Sequence, residues 1–174
     1  MMVNRDTRTL FLHNPKAAGL SVAYWLEHIH GYVPAVPNPD AKVSTDNDLI
    51  WLHAWEPPPE FASFRAWCVV REPLARWGSF WNYTFQQQHQ PCGCNFEEFT
   101  VNCIDWLPTQ MNYVRRCCQA VRMEQLAAGL AMMNFTYPEL LPALNVSGGT
   151  VPWTKALRLF VMDAFKDDFK HLGY

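Results

Sequence analysis

Apolar positions in this chain fall into short runs, each closed by a polar turn that opens a helical pattern. Thr9 to Leu12 reads as a buried strand running on to His13, and Asn14 and Pro15 break it. From Ser21 onward, Val22, Trp25, Leu26 and Ile29 recur at helical spacing, so a helix is expected over 18–30. The same succession recurs at Ala66 to Val70, an unbroken apolar strand, after which Pro73 starts a helix expected over 73–88. Leu49 to His53 reads as another strand end, and the prolines from Pro57 to Pro59 stop any continuation. Helical stretches are expected near 95–103, over 109–119, from Glu124 to Met133 and from Thr154 to Phe165. Loops are expected from Pro34 to Pro39, across the polar break from Gln86 to Pro91, and over 136–150. Strands alternating with helices predict the α/β class, with a parallel sheet flanked by helices on both faces. Ligands in such folds lie at the carboxyl ends of strands, where Lys16, His53 and Arg71 would gather.

A strand, a turn and a helix start together aim several backbone N–H groups and the positive helix end at one spot, which suits a phosphate. In the first such junction Lys16 sits in the turn and Gly19 permits close backbone approach. The second repeats the arrangement, with Arg71 at the strand end and Ser79 about two turns into the helix. Two anion cradles on one small chain imply a ligand with phosphate at both ends.

The pair resembles the donor site of sulfotransferases that use 3′-phosphoadenosine 5′-phosphosulfate (PAPS), in the carbohydrate branch of that family. Pro15, Lys16, Gly19 and Ser21 match the 5′-phosphosulfate loop, usually P-K-T-G-G-T-S. Arg71, Glu72, Pro73, Arg76 and Ser79 match the 3′-phosphate motif. Ala17 and Ala18 stand where the family often has Thr and Gly, and Leu20 where it has Thr, which removes hydroxyls but leaves the lysine and backbone donors. Softer likenesses are Leu107 to Tyr113 with the P-Q-T-x-Y stretch, and Val121 to Leu126 with a strand running into E-x-L. Asn145 to Ser147 and the ending from Asp168 to Tyr174 add two more. The resemblance implies a single P-loop-like domain over 1–174, with PAPS as co-substrate, PAP as product and no metal. It implies donor contacts from Lys16, Ala17, Ala18, Gly19, Leu20, Ser21, Arg71, Ser79 and Ser147.

Composition narrows the partners. A chain of 174 residues fits one domain with a sizeable core. Charged residues are 17% and aromatics 14%, against about 25% charged in an ordinary domain, which describes an apolar-rich globule. Net charge is −2, so no bulk field draws the chain to nucleic acid or a membrane. Anion sites must be local, built from Lys16, Arg71, Arg76 and the pair Arg115 and Arg116. A small or neutral acceptor, a glycan or an alcohol, fits better than a sulfated polymer. No stretch approaches the ~20 apolar residues of a membrane span, and the start lacks a signal peptide. The expectation is a soluble cytoplasmic enzyme, the alternative being an excised catalytic domain; the oligomeric state is not legible. Of six cysteines, Cys92 with Cys94 and Cys117 with Cys118 lack zinc-knuckle spacing, and without a secretory signal disulfides are not expected, leaving free structural thiols. The sequons at Asn82, Asn134 and Asn145 carry no meaning in a cytoplasmic chain.

Each singled-out residue also has a plain structural role open to it. Lys16 fits a solvated loop lysine, Arg71 a surface ion pair, and Ser79 a helix-surface hydroxyl. His13, inside the first strand, reads as a core histidine. Eight tryptophans suit a core or a sugar site, and Trp51 and Trp55, flanking His53, are the pair placed for an acceptor. His53 is the expected general base because it ends a strand beside the phosphate motifs and titrates near neutral pH; Glu56 is the alternative. His28, His30 and His89 fall in helix or loop positions with less to recommend them. Two rival functions remain open: a nucleotide-binding module without turnover, and a small P-loop kinase. The kinase reading lacks G-K-S/T, since the lysine precedes the glycine.

Overall fold

The computed structural model describes residues 1–35, 55–86, 95–144 and 149–174. The strands are β1 (Met2–Asn4), β2 (Thr9–Leu12), β3 (Val33–Pro34), β4 (Arg65–Val70) and β5 (Gln119–Arg122). The α-helices are α1 (Gly19–His30), α2 (Pro73–Gln86), α3 (Phe96–Cys103), α4 (Met111–Val114), α5 (Leu126–Met132), α6 (Lys155–Ala164) and α7 (Lys166–Leu172). They form two compact units, one of residues 1–70 with 112–145 and one of 71–111 with 146–174.

The first unit carries a five-stranded sheet in the order β3-β1-β2-β4-β5. The α/β class holds, but the wholly parallel sheet does not. β2, β4 and β5 run parallel, while β1 pairs antiparallel with both β2 and β3. The cause is local: Asn4 to Thr9 is too short a link for a crossover, so the chain returns as a hairpin before β2. Sequence reading missed β1 and β3 because strands of three and two residues carry no readable alternation. Alternate residues of the parallel strands face opposite ways. Phe11, Trp67, Val69 and Val121 join Val22, Trp25 and Leu26 of α1 and Leu130 of α5 in one core. Phe11 and Trp67, paired across the parallel ladder, hold their rings 4.7 Å apart. Leu10, Leu12, Cys68 and Val70, on the other face, are buried too, the two-sided burial typical of parallel strands.

The second unit is helical. Trp77 and Trp81 of α2 pack with Phe96, Phe99 and Cys103 of α3, and with Leu157, Val161 and Phe165 at α6. Its helices α3 and α6 are capped by side chains: Asn95 accepts from the Glu98 N–H, and Thr154 from the Leu157 N–H. The helix expected over 109–119 shrinks to α4, since Gln119 already belongs to β5 and Cys118 bonds through its N–H to the Ala66 carbonyl. The expected strand at 49–53 lies outside the described residues, as do Pro37, Pro39 and most of the expected polar break from Gln86 to Pro91. No helix among the described residues is long and apolar enough to cross a membrane.

One cysteine corrects the thiol expectation. Cys103, fully buried, is disulfide-bonded. Disulfides form and persist in oxidising surroundings, and no sequence pattern around Cys103 signalled one. Cys68, Cys117 and Cys118 are free thiols. A hydrogen bond to Cys68, with burial, raises the pKa of the Cys117 thiol above its ordinary value.

Candidate functional site

The loop from His13 to Ser21 is built on buried anchors. Asn14, read from sequence only as a strand breaker, is buried and donates through Nδ2 to the Val69 carbonyl at 2.8 Å, tying the loop to the end of β4. Two residues of the loop that are not glycine take left-handed backbone, Lys16 with φ 63° and Ala18 with φ 59°. Each such residue costs roughly 1–2 kcal/mol, so it persists only where its surroundings enforce it. The enforcement includes the hydrogen bond from the Ala17 N–H to the Asn14 carbonyl and the full burial of Ala17. Gly19 is needed for space: a β-carbon there would fall 1.8 Å from Cδ2 of His13. His13 is buried behind the loop, its ring stacked toward Phe11.

This arrangement leaves a helix start with no side-chain cap. Ala18 is the N-cap residue of α1, no side chain accepts from the first turn, and no acidic residue lies there. Those backbone donors and the positive helix end suit an anion. The donor set is narrower than expected, however. The Ala17 N–H is committed to Asn14, and the Ser21 hydroxyl to the backbone of Leu144, accepting from its N–H at 3.0 Å. Lys16 and Ala18 are half-buried and Leu20 exposed, so the loop keeps an accessible side.

The second motif has a different construction. The carboxylate of Glu72 accepts from the N–H groups of Leu74 (3.1 Å) and Ala75 (2.6 Å), so α2 is capped by its own chain. An anion here would be met by side chains rather than by a vacant helix end. Arg76 is buried and donates through Nη1 to the Pro108 carbonyl at 2.8 Å, a structural use of its charge. Ser79 is buried on the same helix, and Arg71 is half-buried.

Arg71 is held by residues to which sequence reasoning gave no role. Gln110, with no exposed surface, accepts from the Arg71 N–H at 2.9 Å and donates to the Arg71 carbonyl at 2.8 Å. Asp168, also fully buried, accepts from the Thr109 hydroxyl, from the Gln110 N–H at 3.0 Å and from the Met111 N–H at 3.1 Å. Only the family likeness at Leu107 to Tyr113 and at the ending from Asp168 drew attention to these segments.

Of the remaining predicted residues, His53, Trp51, Asn145 and Ser147 lie outside the described residues. Glu56 is exposed and ion-paired to Arg116 at 2.9 Å, which occupies one member of the Arg115 and Arg116 pair. Trp55 sets its ring edge-on to Tyr113. His28 is spent on the Tyr24 carbonyl and ring. His30 lies 3.1 Å from the Thr136 carbonyl, and burial lowers its pKa below the ordinary value. Among the described residues no group of three or more His, Cys, Asp or Glu side chains is arranged to hold a metal ion. A depression of about 300 Å³ on α3, lined by Asn95, Glu97, Glu98, Val101 and Asn102, is acidic and unsuited to phosphate. Compared with protein-family models, curated proteins and solved structures, the chain gives no match.

Proposed function

We propose that this chain is a PAPS-dependent sulfotransferase with a P-loop-like donor site, acting on a hydroxyl of a carbohydrate or small alcohol. What carries the reading is the loop from Asn14 to Gly19: two strained left-handed residues that are not glycine, one of them Lys16, before an uncapped helix start at the end of a parallel strand. Strain of that kind is expected where backbone donors are aimed at a ligand. Arg71 and Ser79 hold the 3′-phosphate in this reading, fixing the donor for in-line displacement. The acceptor oxygen bonds to sulfur as the bond from sulfur to the bridging phosphate oxygen breaks. The electron pair stays on that oxygen, whose growing charge Lys16 and the start of α1 stabilise. His53 takes the acceptor proton, with Glu56 as the alternative base.

The test begins with thermal shift in PAP, ATP, and ATP with Mg²⁺: PAP should raise the unfolding midpoint more than the others. Turnover of labelled PAPS against glycans and small alcohols is measured next. Lys16→Ala should lower turnover far more than it weakens PAP binding, because its contact strengthens as the leaving oxygen charges. No shift with PAP removes the reading. The engagement of Ser21 by Leu144 favours one second reading, a PAP-binding module without turnover, which PAP stabilisation with no sulfuryl transfer would establish.

A further inference from the structure

We infer that Gln110 and Asp168 are positioning residues for Arg71, a role that rests on Arg71 being the 3′-phosphate ligand. Arg71 stands just past the last residue of β4 that pairs with β5, Val70 with Arg122. There the carboxamide of Gln110 takes the place of a strand partner, with Oε1 on the Arg71 N–H and Nε2 on the Arg71 carbonyl. One side chain thus satisfies both backbone groups of one residue and fixes the point from which the guanidinium departs.

The clamp is itself clamped. Three donors from consecutive residues, the Thr109 hydroxyl and the N–H groups of Gln110 and Met111, converge on the Asp168 carboxylate. Arg76 holds the preceding Pro108 by its carbonyl. A fully buried carboxylate is costly unless its oxygens are satisfied, and here they satisfy a turn whose product is the orientation of Gln110. Closing off a strand end needs no buried acidic side chain. Holding a long arginine for bidentate contact with phosphate does need a rigid base, because an unfixed backbone adds to the freedom lost on binding.

The probes are PAP and AMP, which differ by the 3′-phosphate, titrated by calorimetry into the full chain carrying Arg71→Ala, Gln110→Met, or both. Gln110→Met keeps length and removes both hydrogen bonds; Gln110→Leu, smaller and also neutral, removes both and replaces it if the first variant does not fold. Wild-type protein should prefer PAP, and the Gln110 variant should lose about tenfold of that preference at unchanged AMP affinity. The double variant should lose no more than Arg71→Ala alone, the non-additivity of residues acting as a unit. A folded Gln110 variant that keeps the wild-type preference overturns the positioning role. If Arg71→Ala also keeps it, or wild type shows no preference, the 3′-phosphate assignment falls and takes this inference with it.

Discussion

At Gly19 the chain has no room for a β-carbon. Alanine there would drive into the His13 ring, whose nearest atom lies 1.8 Å from the ideal position, in a buried site. Gly19→Ala should destabilise the protein by ~1–3 kcal/mol in urea denaturation, and a His13→Ala background should remove most of that loss. An unchanged midpoint would refute the packing. His30 supplies a pH test. A carbonyl only accepts, so Nε2, 3.1 Å from the Thr136 oxygen, carries the hydrogen, while the ring sits edge-on to Trp25 and Phe135. Burial depresses its pKa from 6.5, the Thr136 contact opposing in part. A depressed pKa means the fold favours the neutral ring. His30 therefore contributes stability that is complete above pH 6.5 and is lost as the pH falls through the lowered value. Acidification from pH 8 to 5 should cost wild type more than His30→Gln, followed by tryptophan fluorescence; equal losses would exclude it.

At the scale of elements, two strand-to-helix junctions that look alike in sequence are built differently. α1 begins without a side-chain cap behind a strained turn, whereas α2 begins on Glu72, which bonds two of its first N–H groups. Glu72→Ala should therefore cost about 1 kcal/mol of stability, a cap's usual contribution. A midpoint for Glu72→Ala within error of wild type would mean that water replaces the carboxylate. The hairpin from β1 into β2 belongs to this scale too. It makes the sheet mixed and places β2 beside β4, so that the Lys16 loop comes after a central strand and is tied sideways by Asn14.

Over the whole molecule, the sheet unit has its own aromatic core, centred on Trp25, Trp67 and Phe11, and the helical unit another, centred on Trp77, Phe99 and Phe165. Cys103, in the second, is disulfide-bonded. A reducing agent should lower the thermal midpoint by an amount corresponding to ~2–4 kcal/mol. An identical midpoint with and without reductant, with the thiols shown by mass to be reduced, would deny the bond any stabilising role.

What the sequence determined by itself was periodic or chemically conspicuous. The apolar runs of β2 and β4, the 3.6-residue patterns of α1, α2 and α6, and the lysine and arginine after the two strands were legible because local spacing encodes them. Other features exist only when distant segments meet. The direction of β1 depends on a partner strand, and the space at Gly19 on where His13 points. Gln110 read as part of a helix over 109–119, and Asp168 only as the start of a family-like ending, until folding buried both against backbone donors far away in the chain. Hydrogen-bond partners of buried polar groups come from tertiary geometry, because the need to satisfy a buried group is local but the group that satisfies it is not.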